Sequence, residues 1–309
     1  MYELVTLIGG GGFVGRYAAQ ALLRAGWRVR IAQRDPRQAF YLKPLGGLGQ
    51  TQFVAADVTR PDTIARAVEG TDAVVNLAGS FADPMRIQAA GAETVAKAAA
   101  AAGVRAMVHL SAIGAAADSP STYGRSKALG EDAVRAAMPQ ATILRPSVIF
   151  GREDQFLNRF AEMIRRTPVV PVLRGGTKFQ PVFAGDVGDA VAAALREPGR
   201  FGGGTFELGG PDVLSMAELL RWIAGEINRS PRLVELSDGL GAALARLPGA
   251  PISRDQWLML QRDNVVAPGA TGLEALDLTA TPLSAVAPSW LVRYRRMGRF
   301  ARRTTELAA

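Results

Sequence analysis

An apolar run, a cluster of glycines and an amphipathic helix follow one another at the start of this chain, and few folds admit that succession. Glu3-Leu-Val-Thr-Leu-Ile8 has the near-continuous apolar character of a strand buried on both faces. Gly9-Gly-Gly-Gly-Phe-Val-Gly15 is the turn, and Arg16–Ala25 is an amphipathic helix closed by Gly26. Gly9, Gly12 and Gly15 fall at G-x-x-G-x-x-G spacing. In such a unit the first glycine allows the tight turn, and the second lets the backbone approach a diphosphate. The third lets the helix pack close to the strand. The diphosphate then rests on the free amides and positive end of the helix. Gly9, Gly12, Phe13, Gly15 and Arg16 are the candidate contacts. Four glycines in a row also make a flexible turn; the flanking strand and helix favour the dinucleotide site.

Strands and helices alternate through the rest of the first half. Strands are expected at Trp27–Gln33, Thr51–Ala55, Asp72–Leu77, Ala106–Leu110 and Ala141–Arg145, with helices at Thr63–Val68, Met85–Ala102 and Tyr123–Ala137. Short apolar strands separated by helices imply right-handed βαβ units. The fold class is therefore α/β, a Rossmann-type doubly wound parallel sheet over residues 1–150. Residues 151–309 read as a smaller, irregular cap with a basic C-terminal helix, some of its segments returning to the main sheet. Helices are expected at Phe156–Arg166 and Asp186–Leu195, and a strand at Thr205–Leu208. Ser215-Met-Ala-Glu218 is a capping box opening a helix to Ile227, and Ser253-Arg-Asp-Gln256 resembles another.

The end of the second strand decides between nucleotides. An acid there binds the ribose 2′-hydroxyl of NAD, whereas arginine accommodates the 2′-phosphate of NADP. Gln33 and Arg34 occupy the position, and Arg16 adds a second positive group, so NADPH is expected over NAD. Asp57 is placed to accept from the adenine amino group, or else to hold a turn. Ala78 and Gly79, in Asn76-Leu-Ala-Gly79, permit close approach, and Pro146 passes the nicotinamide end. Tyr123-Gly-Arg-Ser-Lys127 puts a phenol and an ammonium on one helix face. Lys127 is expected to lower the phenol pKa and hold a ribose hydroxyl. Ser111 precedes the pair by twelve residues and completes the candidate catalytic set, Ser111, Tyr123 and Lys127.

Composition removes other chemistries. The 309 residues contain no cysteine, which excludes thiolate metal sites, and one histidine, His109, so neither a histidine-cluster metal site nor Ser-His-Asp catalysis is expected. No metal is expected. The net charge of +8 is concentrated at Trp290–Arg303, where Arg293, Arg295, Arg296, Arg299, Arg302 and Arg303 stand without an acid. Trp290, Leu291, Tyr294, Met297 and Phe300 interleave with them at helical spacing. Such a helix is a solvated face, or it lies on an anionic membrane surface or an acidic partner. Leu240–Leu247 is a second contact or core. Aromatics and basic residues do not form a stacking platform elsewhere, so no nucleic acid is expected. Strand residues follow Met1 almost at once, leaving no room for a leader, and no apolar run is long enough to span a membrane.

Across nearly its whole length the chain resembles the extended or atypical short-chain dehydrogenase/reductases. A narrower resemblance rests on Arg34-Asp35, Leu42-Lys-Pro-Leu-Gly-Gly-Leu-Gly-Gln50, Phe150-Gly-Arg-Glu-Asp-Gln-Phe-Leu-Asn158, Gln180-Pro-Val-Phe-Ala-Gly-Asp-Val187, Ser253-Arg-Asp255 and Ala280-Thr-Pro-Leu283. These segments are similar to the nucleotide-binding accessory subunits of respiratory complex I. The resemblance implies a tightly held NADPH, other complex I subunits as partners, and a peripheral position on the matrix or cytoplasmic side. Without a leader, the cytoplasmic side of a bacterial inner membrane is expected. In catalytic relatives a hydroxyl bonds the substrate oxygen near Ser111-Ala112-Ile113, and here the usual positions are Ala112 and Ile113. The set is incomplete, and Tyr123, Lys127 and Ser111 then only hold cofactor. A free-standing NADP-dependent reductase or epimerase is the alternative, and an NADPH-sensing regulator a third reading.

Overall fold

The computed structural model describes residues 3–247, 252–296 and 298. The chain divides into two units. One comprises Met1–Pro146, Ala184–Leu208 and Val266–Thr279; the other comprises Ser147–Phe183, Gly209–Val265 and Ala280–Ala309.

The first unit holds seven parallel strands: β1 (Leu4–Ile8), β2 (Arg28–Gln33), β3 (Thr51–Ala55), β4 (Ala73–Asn76), β5 (Ala106–Leu110), β6 (Thr142–Pro146) and β7 (Thr205–Leu208). Their order is β7-β6-β5-β4-β1-β2-β3. Strand order reverses between β1 and β4, and in such sheets ligands bind beyond the carboxyl ends at that switch point. β1 and β5 are buried at every position, as apolar runs with helices on both faces require. Thr6 is the polar residue inside β1, and its hydroxyl is satisfied by the Ala67 carbonyl and the Thr71 hydroxyl, both at 3.1 Å.

Five helices flank the sheet: α1 (Phe13–Arg24), α2 (Pro61–Val68), α3 (Gly91–Ala101), α4 (Thr122–Ala137) and α5 (Ala184–Arg196). α2, α3 and α4 close one side through Ile64, Val68, Val95 and Val134 against Ile8, Val74, Met107 and Ile143. α1 and α5 pack together, so closely that a Cβ on Gly188 would lie 2.7 Å from the Tyr17 backbone. The expected helix over Met85–Ala102 is divided. Met85–Ala90 is a π turn and α3 begins only at Gly91. The wider turn sets the Gln88 carbonyl 2.3 Å from where a Cβ of Gly130 in α4 would stand. Pro36–Leu45 forms a 3-10 helix for which the residue pattern gives no signal, since only Ala39 and Leu42 are buried in it.

Among its described residues the second unit has three two-stranded pieces. Val169–Leu173 pairs with Arg232–Leu236 and Ile149–Phe150 with Val182–Phe183, both parallel; Lys178–Phe179 pairs antiparallel with Leu214–Ser215. Phe150, Leu157, Ile164, Phe179, Leu219, Ile223, Trp290 and Leu291 fill its core. Both capping boxes form, at Ser215/Glu218 and Ser253/Gln256, opening helices Met216–Glu226 and Arg254–Met259. In the helix Asp238–Leu244, Gly241 lies against Trp257 while Leu240 is exposed, as is Leu247 beyond the helix end. No helix among the described residues is long and apolar enough to cross a membrane.

The segment from Trp290 departs from the expected basic helix. Pro288–Leu291 and Val292–Tyr294 are single turns, and Arg295 is extended at φ −66°, ψ 151°. The cause is packing. Trp290 and Leu291 are drawn into the core, Arg293 donates to Asn158 Oδ1 at 2.8 Å, and Arg295 donates to the Glu226 carbonyl at 2.8 Å. Asn158 is itself held by the turn beneath it, where Asp154 accepts from the amides of Gly151, Phe156 and Asn158. Met297, Arg299, Phe300, Arg302 and Arg303 lie outside the described residues.

Candidate functional site

Every candidate residue belongs to the first unit, and strand register brings them to one edge. Ile8 is level with Ala32 and Asn76, Asn76 with His109, and Gln33 with Ala55. The turns beginning at Gly9, Arg34, Ala56, Leu77 and Ser111, together with Pro146 at the end of β6, therefore all lie at the carboxyl edge of the sheet, where a ligand of this architecture sits.

The glycine turn is built for close approach. Gly9 has φ +79°, and a Cβ there would lie 3.3 Å from the Ala78 amide and the Leu77 carbonyl carbon. Gly12 caps α1 without a side chain and without a first-turn acid, so the helix start presents its amides outward as an anion site does. A Cβ on Gly15 would lie 2.3 Å from the Gly10 carbonyl oxygen. The third glycine thus lets the start of the helix sit close on its own turn. A bare helix start beside a turn that tolerates no Cβ fits a dinucleotide diphosphate.

At the end of β2, the Gln33 amide donates to the Asp35 carbonyl at 2.6 Å, and Arg34 is exposed. The nearest acid, Asp35, is committed elsewhere. It caps the 3-10 helix and receives Arg37 at 3.0 and 3.2 Å, a pairing that holds its carboxyl below the usual range. Arg16 lies over the Tyr41 ring at 4.6 Å, and the Tyr41 hydroxyl donates to the Gly11 carbonyl at 3.0 Å. Tyr41 thus joins the candidate site with no sequence signal, because it stands on the 3-10 helix. Asp57 receives the Thr59 amide and hydroxyl at Oδ1, each at 2.9 Å, which are contacts of a turn residue and use one of its two carboxylate oxygens. Ala78 donates its amide to Asn76 Oδ1 at 3.2 Å, and the space over Gly79 is open. Pro146 accepts from the Ile113 amide at 2.9 Å.

The reacting end differs from expectation in two ways. Burial pushes the Tyr123 phenol up to about 12, where Lys127 was expected to lower it. Lys127 does not reach far enough: its Nζ is 5.8 Å from the ring centroid and donates to the Leu110 carbonyl at 2.8 Å. Burial also pushes Lys127 down to about 8, against the pull of Glu131. Secondly, the Ser111 hydroxyl, expected to serve substrate or cofactor, donates to Glu131. Glu131, 2 % exposed, takes Arg145 in a two-pronged pair at 2.9 and 2.7 Å and Arg135 at 3.5 Å. One sequence signal pointed to Glu131: positions 123, 127 and 131 share one helical face. His109 lies beside this network, 1 % exposed, accepting from the Asn76 amide at Nδ1 (3.1 Å). Burial, then the charges of Lys127 and Arg135, push it down to about 3. Phe81, on the turn after β4, stacks on Tyr123 with centroids 4.6 Å apart and planes 14° from parallel.

A switch-point site with a glycine turn and a Tyr-x-x-x-Lys helix defines a nucleotide-binding α/β protein of the dehydrogenase/reductase class. The model of the NAD dependent epimerase/dehydratase family matches residues 5–209, and the chain belongs to that family. It is 34 % identical over 318 residues to the mitochondrial NADH dehydrogenase (ubiquinone) 1 alpha subcomplex subunit 9 of Arabidopsis thaliana, covering 96 % of this chain and 79 % of that protein. It is 32 % identical over 291 residues to the ceramide reductase of Caulobacter vibrioides, covering 91 % of this chain and 87 % of that one. Among solved structures, the triphenylmethane reductase of Citrobacter sp. superposes with a TM-score of 0.77 at 18 % identity, over 94 % of this chain and 99 % of that one.

Proposed function

We propose that this chain is an accessory subunit of a proton-pumping NADH:ubiquinone oxidoreductase that holds NADPH as a structural ligand. The observation that carries the reading is the commitment of Ser111 to Glu131. With Ala112 and Ile113 beside it, no hydroxyl of this segment is left to stabilise charge on a substrate oxygen. The similarity to the Arabidopsis complex I subunit supports placing the chain in that assembly. Gly9, Gly12, Phe13 and Gly15 would hold the diphosphate, and Arg16, Gln33 and Arg34 the adenosine ribose and its phosphate. Ala78 and Gly79 would leave room along the edge, and Tyr123 and Lys127 would hold the second ribose. When bound, the nucleotide supplies hydride chemistry; in this reading its weight is structural.

Arg34 tests the choice of nucleotide. Arg34→Asp should weaken NADPH binding by about 10- to 100-fold, the size of a lost charge-assisted contact, and leave NADH within a few-fold. Equal loss for both would end the assignment. Assembly is tested on membranes. The full chain should co-purify with a membrane-bound NADH dehydrogenase on the cytoplasmic face of a bacterial inner membrane. A chain ending at Gly298 keeps Trp290, Leu291, Arg293 and Arg295, so it should fold yet wash off at lower salt, because screening shortens the reach of surface charge. Identical salt release would leave the arginines beyond 298 without a docking role.

The second reading, a free-standing NADP-dependent reductase, is favoured by the presence of both Tyr123 and Lys127 at the four-residue spacing and by the similarity to the Caulobacter reductase. A NADPH-dependent reduction by the isolated protein, lost in Tyr123→Phe, would establish it.

A further inference from the structure

Phe81 is 61 % exposed, which is unusual for a large apolar side chain held in place from both sides. On one side its ring covers Tyr123 almost face to face. On the other its backbone is tied down. The Ser80 hydroxyl accepts from the Ala82 and Asp83 amides at 3.1 and 3.3 Å, and the Ser80 carbonyl accepts from Gln88 Nε2 at 2.6 Å. Gln88 is buried in the π turn, and that turn meets α4 backbone to backbone at Gly130. α4 also carries Tyr123, so the two rings are mounted on one frame and their stacking is built in. We propose that Phe81 is an aromatic cover that shields one face of Tyr123 at the carboxyl edge, so that its ring must swing aside before a ligand meets that face.

The proposal concerns the chain's own side chains, and it stands whether a nucleotide is held or turned over. Its chemistry is general. A ring packed on a phenol removes water from one face and disfavours the phenolate, in keeping with a Tyr123 phenol pushed up to about 12 by burial. Removing the cover should expose the ring and bring the phenol back toward its ordinary value near 10. Phe81 itself contributes little to the core, so its loss should leave the fold intact.

The test is chemical modification of the full chain without nucleotide. Tetranitromethane nitrates accessible tyrosines, and peptide mass spectrometry reads each site separately. Tyr41, exposed on the 3-10 helix, is the internal reference. Relative to Tyr41, nitration of Tyr123 should rise by about two- to twelve-fold in Phe81→Ala, the population change that loss of a stacked pair implies. In Phe81→Trp, which keeps a flat ring in place, it should stay near the wild-type rate. An unchanged ratio in Phe81→Ala, or an equal rise in both variants, would overturn the proposal. Neither result touches the complex I reading, which is judged on membranes.

Discussion

Replacing Glu131 with alanine is expected to destabilise the protein by about 1.5–3 kcal/mol, the usual worth of a hydrogen bond to a charged group, since Arg145 and Arg135 are 27 % and 38 % exposed and can be rehydrated. Glu131 is 2 % exposed, and it receives the Ser111 hydroxyl, the Arg145 fork and Arg135 together. Arg145 would keep Glu207 at 3.8 Å, too far to replace the lost fork. Glu131→Gln preserves shape and one acceptor, so its loss should be smaller. Denaturant unfolding at neutral pH reads both. A loss under about 1 kcal/mol in Glu131→Ala, the worth of an exposed pair, would show that the network is wetter than its burial indicates.

Acidification is expected to unload a second part of the same region. His109 titrates near 6.5 in an unfolded chain and only at about 3 when folded. The unfolded chain therefore binds the proton first as pH falls. The stabilising contribution is complete above about 6.5 and drains away down to about 3, at up to about 1.4 kcal/mol per pH unit. Between pH 6.5 and 5 that amounts to about 1.6 kcal/mol, because the slope is only half-maximal at pH 6.5. The chain has one histidine, so His109→Asn should flatten the profile over this interval, whatever it does to stability at pH 7.5. Parallel profiles for the two proteins would mean that His109 is protonated in the folded state.

Much of the first unit was legible because one physical signal repeats there. Strands buried on both faces are short apolar runs, and β1, β5 and β6 each appear within a residue of their expected bounds. The capping boxes were legible for a similar reason, since each is a local exchange of hydrogen bonds written in four residues. The second unit was harder to read. Lys178–Phe179 and Val182–Phe183 are two residues each, too short to carry a period, and tertiary pairing alone makes them strands. The tail deceived for a related reason. Trp290 and Leu291 do lie on an apolar stripe, but spacing cannot say whether the surface that receives it belongs to the same chain.

At the site, the turns were readable and the side-chain commitments were not. Gly9 shows its role in the sequence because only a glycine accepts its backbone angle easily. Ser111 does not, because its partner lies twenty residues on, and only the packing of α4 against β5 brings them together. The phenol of Tyr123 was misjudged through distance. An i, i+4 spacing places Lys127 on the right face, yet its ammonium turns to Leu110 and leaves burial to set the phenol.

The connectivity of the first unit also sets a schedule for synthesis. Its sheet is not complete at residue 146: β7 and α5 arrive with residues 184–208, and a last piece with residues 266–279. While the ribosome is still adding them, β6 has an unpaired edge and α1 lacks the helix that Gly188 lets approach it so closely. Such edges invite wrong pairings in a nascent chain. A fragment stopping after β6 should consequently behave as an aggregation-prone intermediate, and chaperone demand should peak between the emergence of β6 and that of β7.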